Sequence, residues 1–474
     1  MAHLDSVKVV EVCRLSPAPD FPESASATQK SLPLTFFDIL WLRLPPVQRL
    51  FFYEISSSKT SIFFNSILPK LKTSLSLTLH HYLPLAGTLT WPQNSHKPAI
   101  EYTDGDGVLL TIAESDMDFH DLSGDDYFRQ ASDCHPFIPH LNVSHERAEV
   151  MSLQVTLFPN SGFSIAIAAH HAVLDGKTST SFMKSWAHIC RSLGGAESII
   201  SLPSLPEQIR PFYDRTVVED PTGLGLETIY VNEWLKENGP NNRSLLTWAI
   251  DLPPGLVRGT FELTRENIEK LRKSAVNKRN CQGLILHVST FSVTCSYTWV
   301  CLVKALGIRE GKTHLGFNVD CRTRLTPAIP ATYFGNCVSG RGVLVEAEGL
   351  WGEDGVNLAL GALSKVIKSL DIENGVLNGA ENLASIIIGG KAKKEPNSKV
   401  RGVSFGGSPR FEVYKTDFGW GKPTKVEMTS IDRTGAICLS DTKNGDGGVE
   451  IGLVLRLKEM EAFASQFGKG LENL

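Results

Sequence analysis

Met151-Ser152-Leu153-Gln154-Val155-Thr156-Leu157-Phe158 and Gly162-Phe163-Ser164-Ile165-Ala166-Ile167-Ala168-Ala169 are two apolar, partly β-branched runs flanking the turn residues Pro159, Asn160 and Ser161. Short apolar runs bounded by turn residues read as buried strands, so the stretch predicts a hairpin. Its second run stops abruptly at His170-His171-Ala172-Val173-Leu174-Asp175-Gly176. Beyond Gly176, Phe182, Met183, Trp186, Ile189 and Cys190 recur at helical spacing, which predicts a helix over Thr178 to Arg191 with Thr178 or Ser179 as its cap. His171 thus ends a rigid strand, with a carboxylate four residues on and a tight turn before the helix. Of the 13 histidines it alone has aspartate at the fourth following position. A strand end is a firm mount for a titratable base.

The same mixture recurs along the chain. Leu256 to Leu263, Leu315 to Asp320, Ala436 to Leu439 and Val449 to Leu457 read as strands, while Ile62 to Tyr82, Arg265 to Val276, Ser289 to Leu306 and Glu459 to Phe467 read as helices. Strands and helices do not alternate strictly, so the expected class is α/β with mixed sheets. At 474 residues the chain exceeds what one core normally serves. Prolines and glycines punctuate 201 to 248, predicting an N-terminal domain over 1–205, a crossover over 206–245 and a C-terminal domain over 246–474.

Composition narrows the function. A net charge of -4, with 42% hydrophobic and 21% charged residues, describes an ordinary globular chain, and its Lys and Arg are dispersed rather than clustered for nucleic acid. The start lacks a basic and then apolar leader, and no run approaches the length of a membrane span, so a cytoplasmic enzyme is expected. Nine cysteines from Cys13 to Cys438, none in Cys-x-x-Cys spacing, argue against a disulfide framework or a zinc site, and no metal is expected. Three motif matches fail on context. Gly402 to Gly406 copies a hydrolase nucleophile elbow, but no histidine follows His314. Gly176-Lys177-Thr178 lacks the upstream glycine of a phosphate loop. Asp417-Phe418-Gly419 has neither companion motif of a kinase.

Taken together, His171-Ala172-Val173-Leu174-Asp175-Gly176 and Asp417-Phe418-Gly419-Trp420-Gly421 resemble the two signatures of the plant BAHD acyltransferases, and Tyr333-Phe334-Gly335-Asn336-Cys337 resembles that of the branch acylating anthocyanin and flavonoid glycosides. Leu32 to Asp38, Leu83 to Gly87 and Val449 to Gly452 extend the resemblance over nearly the whole chain. It implies two similar-sized domains like those of chloramphenicol acetyltransferase, with a channel between them admitting acyl-CoA from one face and the acceptor from the other. No permanently bound cofactor is implied; the partners are acyl-CoA and a phenolic glycoside, and the protein is expected to be a monomer.

Residue by residue, the resemblance makes His171 the general base. Asp175 either orients that base or, as is usual in the family, turns away to pair with an arginine and shape the turn at Gly176; Arg322 is favoured over Arg324 as its partner. Trp420 either donates its indole N–H to the oxyanion or plugs a loop, and Asp417 is structural. Phosphates of CoA favour helix N-termini and cations, which points to Ser289, Thr290, Lys278 and Arg279. The donor is malonyl-CoA or a hydroxycinnamoyl-CoA. A malonyl carboxylate calls for a cation, for which Lys177 and Arg341 are candidates; an aromatic donor calls for an apolar slot, for which Phe36, Phe37 and Trp41 are candidates. An acyl-CoA thioesterase and a silent binding relative are the readings from other classes.

Overall fold

A computed structural model describes residues 6–19, 30–55, 60–125, 127–193, 202–220, 223–282, 287–392 and 401–472, the side chains of 277–282, 391, 392 and 401 excepted. Both predicted strands of the hairpin form over the expected residues, Met151–Phe158 and Gly162–Ala169, and pair antiparallel from Gly162 opposite Phe158 to Ala169 opposite Met151. Every residue of both strands is buried, which explains a run without polar alternation. The period of two still sorts the side chains. Leu153, Val155, Leu157, Phe163, Ile165 and Ile167 join the main core, whereas Phe158 and Ala166 enter a separate cluster with Phe52 and Phe119 on the other face.

Among the described residues this hairpin lies inside a six-stranded mixed sheet in the order Val7–Leu15, Val108–Ser115, Met151–Phe158, Gly162–Ala169, Val47–Glu54 and Lys425–Glu427. A second, seven-stranded mixed sheet runs Val338–Glu346, Lys312–Asp320, Arg401–Gly407, Ile437–Asp441, Val449–Arg456, Leu256–Leu263 and Arg129–Gln130. Each half of the chain therefore lends one short strand to the other half's sheet. Where the strands are exchanged, Glu427 bridges Arg129 and Arg258, Arg258 also reaches Asp432, and all four side chains are buried. The main apolar core likewise runs on from one half into the other.

The segment expected as an irregular crossover contains a helix, Leu226–Lys236. Its buried face, Leu226, Tyr230, Val231 and Trp234, has helical spacing, but glycines and prolines on both sides mask it in the sequence. The Trp234 indole N–H donates to the Ile39 carbonyl at 2.7 Å, and buried Arg43 holds Glu237 and the carbonyls of Asn242 and Ser244. The crossover is thereby fixed beneath the segment carrying Trp41. No described helix is long and apolar enough to cross a membrane.

Candidate active site

The hairpin's last pair is Ala169 with Met151; the His170 N–H still donates to Val150, and the chain then turns through His171 to Val173 into the helix Gly176–Ser192. The cap of that helix is Asp175 rather than Thr178 or Ser179: its backbone is extended and its Oδ1 accepts from the Thr178 N–H at 2.8 Å. At Gly176 a Cβ would come within 2.8 Å of the Phe411 ring, so a larger residue there would have to push that ring aside.

His171 is half-buried, and Trp41 lies flat on its ring, with centroids 4.5 Å apart and planes 7° apart. The Nδ1 atom is buried without a hydrogen-bond partner, so the open edge of the ring is the Nε2 side. Burial pushes the imidazole down to about 4, against the opposing pull of its own carbonyl and of Asp175. It is neutral at physiological pH. Its neighbour His170 is fully buried, and burial lowers it to about 4 as well.

Asp175 faces away from the imidazole. Its Oδ2 lies 2.8 Å from the Arg322 guanidinium and accepts from the Cys337 N–H at 3.2 Å, and with Thr178 on Oδ1 the carboxylate is fully engaged. Arg322 is completely buried and also donates to Thr178 Oγ1 and to the carbonyls of Tyr333 and Gly335, while Arg324 is exposed. The Tyr333 to Cys337 loop, to which sequence reasoning gave no task, binds three elements at once. Asn336 donates to Asp38 and to the His171 carbonyl, Gly335 accepts from Thr178, and Arg215 donates to the Phe334 carbonyl. Gly335 has φ +118°, and a Cβ there would lie 2.6 Å from Arg215, so this position admits only glycine.

The remaining candidates divide. Phe36 and Phe37 are buried with ring centroids 4.3 Å apart, so they build core and not an open slot; of the three aromatics Trp41 touches the base. Lys177 is one-third exposed, sits 3.2 Å from Asp320, and lines a narrow crevice of about 10 Å³ with Tyr82, Ser181, Thr332 and Phe334. Arg341 is tied to the carbonyls of Gly340, Gly375 and Val376. Ser289 caps the helix Thr290–Ala305 and Thr290 Oγ1 accepts from Arg272, so both hydroxyls are already engaged within the protein. The side chains of Lys278 and Arg279 lie outside the described residues.

Of the two readings of Trp420, its packing favours the loop plug over the oxyanion donor. Its indole packs edge-on against Phe163 at 6.1 Å, under Lys70 Nζ at 5.5 Å. Phe163 stands at the opposite end of the strand from His171, and eight residues at the strand rise separate them by about 25 Å. Neighbouring Phe418 is fully buried against Tyr53 and Trp186, and Asp417 accepts from the N–H groups of Gly419 and Gly421. The segment packs as a plug would.

The profile of the Transferase family matches residues 21–469. Phenolic glucoside malonyltransferase 1 of Arabidopsis thaliana is 41% identical over 99% of this chain and 98% of its own length. The malonyl-CoA:anthocyanidin 5-O-glucoside-6''-O-malonyltransferase of the same plant is 40% identical over 98% and 99%. Among solved structures, vinorine synthase superposes with a TM-score of 0.64, covering 96% of each chain at 20% identity, which supports the two-part mixed α/β fold. The chain belongs to the Transferase family of BAHD enzymes and is an acyl-CoA-dependent acyltransferase.

Proposed function

We propose that the protein transfers the malonyl group of malonyl-CoA to a sugar hydroxyl of a phenolic glycoside, with His171 as general base. The observation that carries this reading is a neutral imidazole with Nε2 open and Nδ1 covered, at the turn the family signature occupies, in a chain about 40% identical to glucoside malonyltransferases along its length. A sugar hydroxyl becomes an adequate nucleophile when its proton is removed as it attacks. His171 Nε2 takes that proton while the oxygen adds to the thioester carbonyl. Collapse of the tetrahedral intermediate expels CoA thiolate, and the imidazolium returns the proton to sulfur. Thiolate leaves readily, so no acyl-enzyme is needed and both substrates are bound together.

The malonyl carboxylate favours a cation, and Lys177 suits it better than Arg341: it is partly exposed and lies two residues from Asp175, whereas Arg341 is tied to backbone carbonyls. Asp175 and Arg322 hold the turn, in this reading, rather than share the proton. The chain's division at 206–245 and a cytosolic, monomeric state complete the proposal; size-exclusion chromatography reports the last. The function is tested with a grid of malonyl-, coumaroyl-, caffeoyl- and acetyl-CoA against phenolic glycosides and their aglycones, read by mass spectrometry. Malonylated glycoside with equimolar free CoA is expected. Preference for a hydroxycinnamoyl donor, or CoA release without acceptor, overturns the assignment.

A further inference from the structure

Among the described residues six cationic side chains are buried: Arg43, Arg49, Arg129, Arg258, Arg322 and Lys425. Burying a charge is costly unless it is paired, and five of the six are. Arg43 meets Glu237, Arg129 and Arg258 share Glu427, Arg322 meets Asp175, and Lys425 meets Asp125. Arg49, only 4% exposed, touches no carboxylate among the described residues; its Nη1 donates to the Thr180 hydroxyl at 2.7 Å. Its Nε and Nη2 have no acceptor, yet they are not sealed in as the Nε atoms of Arg129, Arg258 and Arg322 are. Burial lowers the Arg49 guanidinium, and the pull of Cys438 and Asp441 does not offset it, whereas in Arg129, Arg258 and Arg322 the carboxylates outweigh burial. Asp441 is not free to close on Arg49, because it already accepts from the N–H groups of Val413 and Tyr414.

We infer that Arg49 receives the carboxylate of the malonyl group, which is the partner its guanidinium lacks. This deepens the proposed function and rests on malonyl-CoA as donor. A guanidinium with two free N–H edges matches a carboxylate better than any neutral acyl tail. Its place in the fold suits the task. Arg49 pairs with Ile167, four residues before His171, and Thr180 stands in the second turn of the helix that follows the His171 turn. Four residues at the strand rise put the two positions no more than about 13 Å apart, a span that a long arginine side chain and a malonyl unit can bridge. The phosphates of CoA lie beyond the pantetheine arm, so the malonyl carboxylate is the anion of the donor nearest the base. Lys177 already has Asp320 at 3.2 Å, which leaves Arg49 the stronger of the two cations for this group.

The test is equilibrium binding by calorimetry without acceptor, comparing malonyl-CoA with acetyl-CoA on wild type and on Arg49→Met, with the thermal midpoint of each ligand-free protein. Wild type is expected to bind malonyl-CoA tighter than acetyl-CoA by on the order of 10 to 100-fold, the scale of a hydrogen bond to a charged group. Arg49→Met should bind the two alike, with its affinity for acetyl-CoA within about threefold of wild type. Its thermal midpoint should equal or exceed that of wild type, since an unpaired buried charge has been replaced by an apolar chain. A variant that keeps the preference for malonyl-CoA overturns the inference. So does an equal loss for acetyl-CoA, which would assign the guanidinium to the phosphates of CoA. A lowered midpoint, or a variant that does not fold, would make Arg49 a structural cation and overturn it as well. A protein that holds malonyl-CoA through Arg49 yet transfers no malonyl group would sink the functional reading and keep this one.

Discussion

Trp41 and His171 lie face to face, ring centroids 4.5 Å apart and planes 7° from parallel, at the point where the central hairpin ends and its helix begins. The stack does two things. It covers one face of the base and excludes water from it, which adds to the burial that keeps the imidazole neutral. Replacing Trp41 with Ala should therefore raise the acid limb of the kcat/KM pH profile from near 4 toward the ordinary histidine value. A profile that does not move would show that Trp41 has no part in holding the base neutral.

The depressed histidines also tie stability to pH. His170 and His171 are both lowered to about 4 by burial, so the unfolded chain binds protons the folded one refuses between the ordinary histidine value and 4. Stability is complete above that ordinary value and falls as pH drops through the interval. Denaturant midpoints should decline between pH 7 and pH 5, and the decline should shrink in the double variant His170→Gln, His171→Gln.

Asp175 and Arg322 are a folding pair. Replacing Asp175 with Ala removes the 2.8 Å partner of a fully buried guanidinium, which keeps Asp320 at 3.1 Å, and removes a helix cap. Breaking a buried pair from one side costs about 3–5 kcal/mol when the charge is left alone, and Asp320 holds the loss here to about 3 kcal/mol or less. Urea unfolding should register that loss, while the acid limb of whatever enzyme remains folded moves down only slightly, Asp175 being the weakest pull on the imidazole. A carboxylate that oriented the base would also cost the folded variant most of its kcat.

Trp420 decides between a plug and an oxyanion donor. Phe fills most of the same space against Phe163 and Lys70 but has no N–H. Trp420→Phe should leave kcat within about twofold, whereas loss of an oxyanion donor costs about 100 to 1,000-fold.

Glu427 joins the halves. Its enclosure alone would raise its carboxyl, but Arg258, Arg129 and Lys425 outweigh that and hold it down to about 2. Its contribution is present above the ordinary carboxylate value and lost as pH falls toward 2. Glu427→Gln should lower the thermal midpoint, by an amount that narrows below pH 4 as wild type loses the same charge.

Much of this was legible in the sequence, and the exceptions have physical causes. The hairpin, its abrupt end and the helix beyond are local patterns of period two and 3.6, so periodicity locates them. Lys425–Glu427 and Arg129–Gln130 are three and two residues long, too short for any period, so the strand exchange was hidden. Asn336 lay in a recognisable motif, but its partners Asp38 and His171 come from the other end of the chain, and nothing local to it reveals them. Trp420, between two glycines, reads equally as donor or plug until Phe163 shows which end of the strand it occupies.

The central claim is tested most directly by His171→Ala, assayed for malonyl transfer from malonyl-CoA to a phenolic glucoside beside wild type, with circular dichroism and the thermal midpoint recorded for both. General-base catalysis contributes about 100 to 10,000-fold. A native-like variant whose turnover falls by that factor is the predicted result; a native-like variant that keeps most of its turnover would contradict the account.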